Sequence, residues 1–174
     1  MNLHFTRGLI PSLKLFFLSA LLNLALPSER SFSNEVLASA EIRISKRCVP
    51  GEVKQFKSKH RSFRTGYYPH DSEMEGGFVD RRGQQLRTLQ DYLDGEAEYV
   101  SVAMDHLDLR FPYGTRLRIP EIESEFNRCI EFRVVDTGGR FKGKGTQKID
   151  ICNRTLEDTL EPYSNGWTTI FALD

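Results

Sequence analysis

Hydrophobic and polar residues alternate along this chain in short runs, few of them long enough for a helix of ordinary length. Residues 41–45, Glu-Ile-Arg-Ile-Ser, alternate with a period of two and predict a strand that ends near Val49-Pro50-Gly51. Residues 52–58 and 62–68 are two further strand candidates, polar enough to lie at a sheet edge. The stretch from Tyr67 to Gly77 has Pro69 near its start and paired glycines at its end, and reads as a loop in which aromatic rings and polar groups interleave. Leu86, Leu89, Tyr92 and Leu93 share one helical face and Gly95 follows as a stop, which predicts a short helix over 85–94. Residues 98–104 alternate again, with Tyr99, Ser101 and Ala103 on one side and Val100, Val102 and Met104 on the other. Strands are also predicted at 115–119, stopped by Pro120, at 129–135, at 148–152 and at 167–173. Thr155 and Asp158 form a capping box that opens a second helix to about Leu160. Six or more short strands with little helix give an all-β class, a small barrel or sandwich.

A chain of 174 residues has room for one domain. Its 24 basic residues balance 24 acidic ones, so no polyanion partner is implied and nucleic-acid binding is not expected. Near the start, Arg7 and Lys14 precede the apolar run 15–26, and no acid occurs before Glu29. This pattern predicts a signal peptide over 1–26, an exported protein, and no stable membrane span once the signal is removed. A bilayer span needs about 20 apolar residues, more than this run supplies; an uncleaved anchor is the alternative. Residues 27–40 read as a leader or flexible segment, with Ala38-Ser39-Ala40 or a site nearer Ser28 as places for cleavage, and 41–174 as the domain. Export implies an oxidising compartment for Cys48, Cys129 and Cys152. Cys129 opens one predicted strand and Cys152 ends another, which favours a Cys129–Cys152 disulfide with Cys48 left over; three buried thiols are the alternative.

The richest chemistry lies between Val134 and Asp150. An apolar strand delivers Asp136, a glycine-rich loop turns the chain, and a second strand delivers Asp150, so two carboxylates can converge at one end of a sheet. That arrangement suits acid/base work. Gly138 and Gly139 carry no Cβ, which permits positive φ and a close approach by a ligand. A plain hairpin with solvated aspartates is the other reading of the same residues. Asp105 stands at an equivalent place after Val102-Ala-Met. His70, Asp71, Glu73 and Glu75 crowd one loop and His106 with Asp108 another, but neither has zinc-ligand spacing, so no metal or cofactor is expected.

Val102-Ala-Met-Asp105, the run Tyr113-Gly-Thr-Arg-Leu-Arg-Ile-Pro120, Val135-Asp-Thr-Gly-Gly139 with Lys142-Gly143, and Ile149-Asp-Ile151 occur in one order. Together with Arg64-Thr-Gly-Tyr-Tyr-Pro69, they resemble the three-aspartate domain, the barrel module of the membrane-bound lytic transglycosylase A family, from about Phe63 to Leu173. The resemblance implies a six-stranded double-psi β-barrel with one or two short helices, acting as a monomer on peptidoglycan glycan strands. It implies cleavage between N-acetylmuramic acid and N-acetylglucosamine with a 1,6-anhydro product, and Asp150 as the catalytic aspartate with Asp136 and Asp105 as neighbours and supports. Substrate contacts are implied at Tyr67, Tyr68, Gly138, Gly139, Lys142 and Thr115; buried core rings with a hydroxyl hydrogen bond are the alternative for the two tyrosines. The chain departs from the family in lacking the large inserted second domain, and in carrying Lys142 and Lys144, whose charges would lower a nearby aspartate's pKa. Two rival readings share the topology: an expansin-like barrel that binds polysaccharide without cutting it, and a hydrolase using Asp150 as acid and Asp136 or Asp105 as base.

Overall fold

A computed structural model of the chain describes residues 48–71 and 77–174. Along the chain run β1 (Ser58–Tyr67), α1 (Leu89–Asp94), β2 (Val100–Ala103), β3 (Arg116–Arg118), α2 (Pro120–Phe126), β4 (Phe132–Asp136), β5 (Lys148–Cys152), α3 (Leu156–Leu160) and β6 (Gly166–Ala172). The six strands close into a barrel in the order β1-β5-β2-β4-β3-β6. β1 with β5 and β2 with β4 are parallel, and every other neighbouring pair is antiparallel. Exchanging β1, β2 and β3 for β4, β5 and β6 leaves each of these pairings unchanged.

The interior is built by period-two alternation. Val100, Val102, Met104, Leu117, Phe132, Val134, Ile149, Ile151 and Ile170 point inward and are almost fully shut off from water, while Leu89, Ile122 and Ile130 close the core from outside the strands. Each such side chain contributes about 1.5–3 kcal/mol on burial. The inward side of β1 is polar: Ser62 and Arg64 are both buried. The Arg64 guanidinium donates to the carbonyls of Tyr163 (2.9 Å), Trp167 (3.3 Å) and Pro162 (3.4 Å), and so fastens the turn before β6.

The all-β barrel with few short helices is as the sequence predicts, but several boundaries move. The strand expected over 52–58 is not formed; Val49 and Glu52 close a tight turn, and β1 begins only at Ser58. β1 is not at an edge, because closure gives it a neighbour on each side. Helix α1 starts at Leu89 rather than residue 85, because Thr88 caps it reciprocally with Asp91; Gly95, at φ 85°, ends it as expected. Pro120 ends β3 but also opens α2, a helix the sequence reading misses. Proline at the first helical position loses no hydrogen bond, and Glu121 and Glu123 suit the positive helix start. The signal peptide and the 41–45 strand lie outside the described residues; the compact unit that carries the barrel is Arg47–Asp174.

The expected Cys129–Cys152 disulfide is not formed. Cys129 is bonded to Cys48, and Cys152 is a buried free thiol. Strand order is the cause: β2 stands between β4 and β5, so the chain near Cys129 and the end of β5 are about 10 Å apart, beyond the roughly 7 Å that a disulfide can bridge. The observed bond spans 81 residues, which in the chain-entropy account stabilises the fold by about 4.5 kcal/mol.

Candidate active site

Strand register brings the chemistry together. Ile149 and Ile151 point into the core, so Asp150 between them points to the outer face. In the ladder Asp150 lies beside Thr65 of β1 and Ala103 of β2, and Ala103 lies beside Asp136 of β4. Simple alternation with Phe132 and Val134 would send Asp136 into the barrel. An extra residue, Val135, shifts the register between Val102 and Ala103 and turns Asp136 to the outer row. The row therefore reads Thr65, Asp150, Ala103, Asp136, with the two aspartate Cα atoms roughly two strand spacings, about 10 Å, apart.

Asp150 is mostly removed from water, its side chain 16 % exposed. Thr65 Oγ1 donates to its Oδ1, and Lys148 Nζ stands 3.8 Å from the same oxygen. Burial lifts its pKa above the ordinary value; the Thr65 hydrogen bond and the charges of Lys148 and Arg140 oppose that without reversing it. Asp136 is also raised, first by burial and further by the charge of Asp80, against the Thr137 N–H, the Tyr67 hydroxyl and Arg81. Burial, rather than repulsion among the three aspartates, is the leading cause in both. The Tyr67 hydroxyl is buried close enough to Asp136 and Cys152 to perturb them, yet it makes no hydrogen bond of ordinary geometry. Burial pushes the Tyr67 phenol and the Cys152 thiol well up, so both stay protonated.

Asp105 behaves differently. It accepts hydrogen bonds from the N–H groups of Gly145 (3.0 Å) and Leu107 (3.1 Å), and the Gly145 donor is the first cause of a lowered pKa. This aspartate is an ionised clasp that holds the glycine-rich loop against the strand ends. His106 and Thr137 join the same two loops at 3.1 Å.

Gly138 is extended at φ −161° and Gly139 opens a short 3-10 turn; neither uses the positive φ that a glycine permits. Positive φ falls instead at Gly143 (74°) and Gly145 (53°). A Cβ at Gly139 would meet nothing within 4 Å and one at Gly138 only ordinary contacts with Phe141, so the fold itself does not require these two glycines. Lys142 and Lys144 are exposed, and the cation beside Asp150 is Lys148. Tyr68 is half-buried and packs edge to face on His70 at 5.5 Å. Thr115 stands apart: its hydroxyl donates to the Pro112 carbonyl at 2.8 Å, and it lines a cleft of about 670 Å³ with Lys57, His60, Arg110 and Tyr113 that none of the three aspartates borders.

Sequence reading missed Thr65, Lys148 and Asp80. Thr65 lies inside the quoted Arg64-Thr-Gly-Tyr-Tyr run, but only the parallel pairing of β1 with β5 reveals it as the partner of Asp150. Asp80 is buried and accepts from the Tyr113 hydroxyl and from the N–H groups of Arg82 (2.8 Å) and Gln84 (3.0 Å). Among the described residues there is no cluster of three or more potential metal ligands, and no helix long and apolar enough to cross a membrane. No family model matches the chain, and no curated protein matches it.

Proposed function

We propose that this protein cleaves peptidoglycan glycan strands as a lytic transglycosylase, with Asp150 as its single general acid and base. The observation that carries the reading is the state of Asp150: a carboxyl removed from water on an outer barrel face, raised in pKa, and held in one orientation by Thr65. An aspartate at its ordinary pKa is ionised at neutral pH and has no proton to donate; burial makes the acid form accessible. Asp150 then protonates the glycosidic oxygen as the bond to the anomeric carbon breaks. The resulting carboxylate removes the proton from the muramic acid's own 6-hydroxyl as that oxygen closes on the anomeric carbon. No water enters the product, and the aspartic acid is regenerated. Asp136 supports the positive charge that develops on the sugar, and Asp105 keeps the loop of Gly138 and Gly139 where a sugar can approach the backbone.

Two further observations support the family reading. The strand order has two parallel pairs related by exchange of the chain halves, which is what a double-psi barrel requires. The Cys48–Cys129 disulfide fits an oxidising compartment, and hence export by the signal peptide over 1–26. The expansin-like alternative draws support from the position of the three aspartates, which line none of the clefts of about 440, 530 and 670 Å³.

Digestion of purified sacculi in heavy-oxygen water, followed by mass spectrometry, separates the readings. The lyase gives anhydro-muropeptides without label. A hydrolase gives reducing ends that carry the label, and a binding barrel gives no new ends; either result refutes the proposal.

A further inference from the structure

Phe63 of β1 and Trp167 of β6 are register partners, their rings packed edge to face with centroids 5.4 Å apart. Both are exposed, 39 % and 60 %, although rings of this size are ordinarily covered. On its other side Phe63 pairs with Lys148 of β5. Trp167, Phe63 and Lys148 therefore form a row on the same outer face as Thr65 and Asp150, two residues earlier along β1. Two residues earlier again, Arg61 lays its guanidinium 4.7 Å from the Trp167 ring centroid. A cleft of about 530 Å³ opens beside the indole, lined by Lys59, Arg61, Glu121, Trp167, Thr168 and Thr169. Its one acid is committed, since Glu121 accepts from Thr168 Oγ1 and from the Thr169 N–H, each at 2.8 Å. Lys59 and Arg61 rest on aromatic rings and outnumber that one carboxylate, so the net charge of the cleft lining is positive.

We propose that Phe63 and Trp167 form a sugar-stacking subsite of the glycan-binding face, and that Arg61, with Lys59, recognises the carboxylate carried by an acidic pyranose bound there. The inference rests on the glycan-cleaving reading of Asp150. The C–H face of a pyranose is apolar and flat, which suits an exposed indole, and guanidinium and carboxylate pair through charge-assisted hydrogen bonds. Trp167 lies two strands across and two residues along from Asp150, roughly 12 Å between Cα atoms, a distance spanned by two or three sugars. The subsite thus selects glycan strands longer than a disaccharide, and acidic ones over neutral ones.

Trp167 is the only tryptophan in the chain, so its fluorescence reports on this surface alone. The full-length Asp150→Asn protein is titrated with soluble, peptide-free peptidoglycan oligosaccharides of two, four and eight sugars, whose lactyl carboxylates are free, and with chitin oligosaccharides of the same lengths, which lack the carboxylate. Emission should shift with the longer peptidoglycan oligomers and not with the disaccharide. Chitin oligomers should bind roughly tenfold more weakly, the equivalent of 1.4 kcal/mol, and Arg61→Ala should remove that difference. Calorimetric binding that leaves Trp167 emission unchanged overturns the subsite, as does equal affinity for the two glycans. If Trp167 responds while the native protein releases no anhydro product, the subsite stands and the cleavage reading falls. Product release with a silent Trp167 has the opposite meaning, and absence of any binding overturns both.

Discussion

Glu123 and Asp150 are carboxyl groups wholly and mostly removed from water, and what differs most is the supply of donors around them. Glu123 is fully buried. Arg118 holds both of its oxygens through Nε and Nη2, and the N–H groups of Gly51 (3.2 Å) and Ile130 (3.4 Å) complete the set. The same arginine reaches the carbonyls of Val49 (3.2 Å) and Glu52 (3.4 Å), so one ion pair fastens the segment after Cys48 to the barrel beside the disulfide. Asp150 has one hydroxyl and a lysine at 3.8 Å. A buried carboxylate with a full set of donors is a fixed ion that ties the fold together. One with few donors keeps its protonated form within reach, which proton transfer requires.

Exchanging residues between the two situations should give effects of very different kinds. The largest change in stability is expected for Glu123→Ala, which strands Arg118 in a buried position and should cost about 3–5 kcal/mol, read as a lower midpoint in urea. Asp105→Asn comes next. It weakens the clasp on Gly145, and should lower the melting temperature and speed proteolysis within 137–147. Its pH dependence has a definite sign. The folded pKa of Asp105 is below the ordinary 3.8, so its contribution is complete above 3.8 and is lost as pH falls toward the folded value.

Asp150→Asn should act in the other direction on stability. The folded pKa of Asp150 lies above 3.8, so the folded chain keeps a proton that the unfolded chain releases, and stability falls as pH rises through that interval. Replacing the carboxyl by an amide removes this penalty, and should stabilise the protein at neutral pH while leaving its stability in acid nearly unchanged, read from urea midpoints at the two pH values. The smallest change is expected for Gly139→Ala. A Cβ there meets nothing, so denaturation should move by less than about 0.5 kcal/mol, whereas binding of glycan oligomers should weaken if a sugar lies against that backbone.

The local features of the barrel were legible because local patterns encode them. β5 has the bounds that its alternation predicts, and the capping box at Thr155 opens α3 as read. The pairing of distant strands left no such mark. Thr65 and Asp150 are 85 residues apart and meet only because β1 and β5 run parallel. Asp136 reaches the outer row through a one-residue bulge that no periodicity announces. The disulfide assignment failed for the same reason, since it rested on the places of Cys129 and Cys152 at strand ends, and β2 stands between those strands. Thr115, grouped with the candidate site by motif order, lines a separate cleft, because the loop from Pro112 turns it away.

The most direct test of Asp150 as sole acid and base is release of anhydro-muropeptides from one batch of sacculi by the native protein and by Asp150→Asn, at equal concentration and with folding checked by circular dichroism. The account predicts release by the native protein that declines as rising pH ionises Asp150, and a loss of about 10²- to 10⁴-fold in the variant. Release by the variant at the native rate would contradict it.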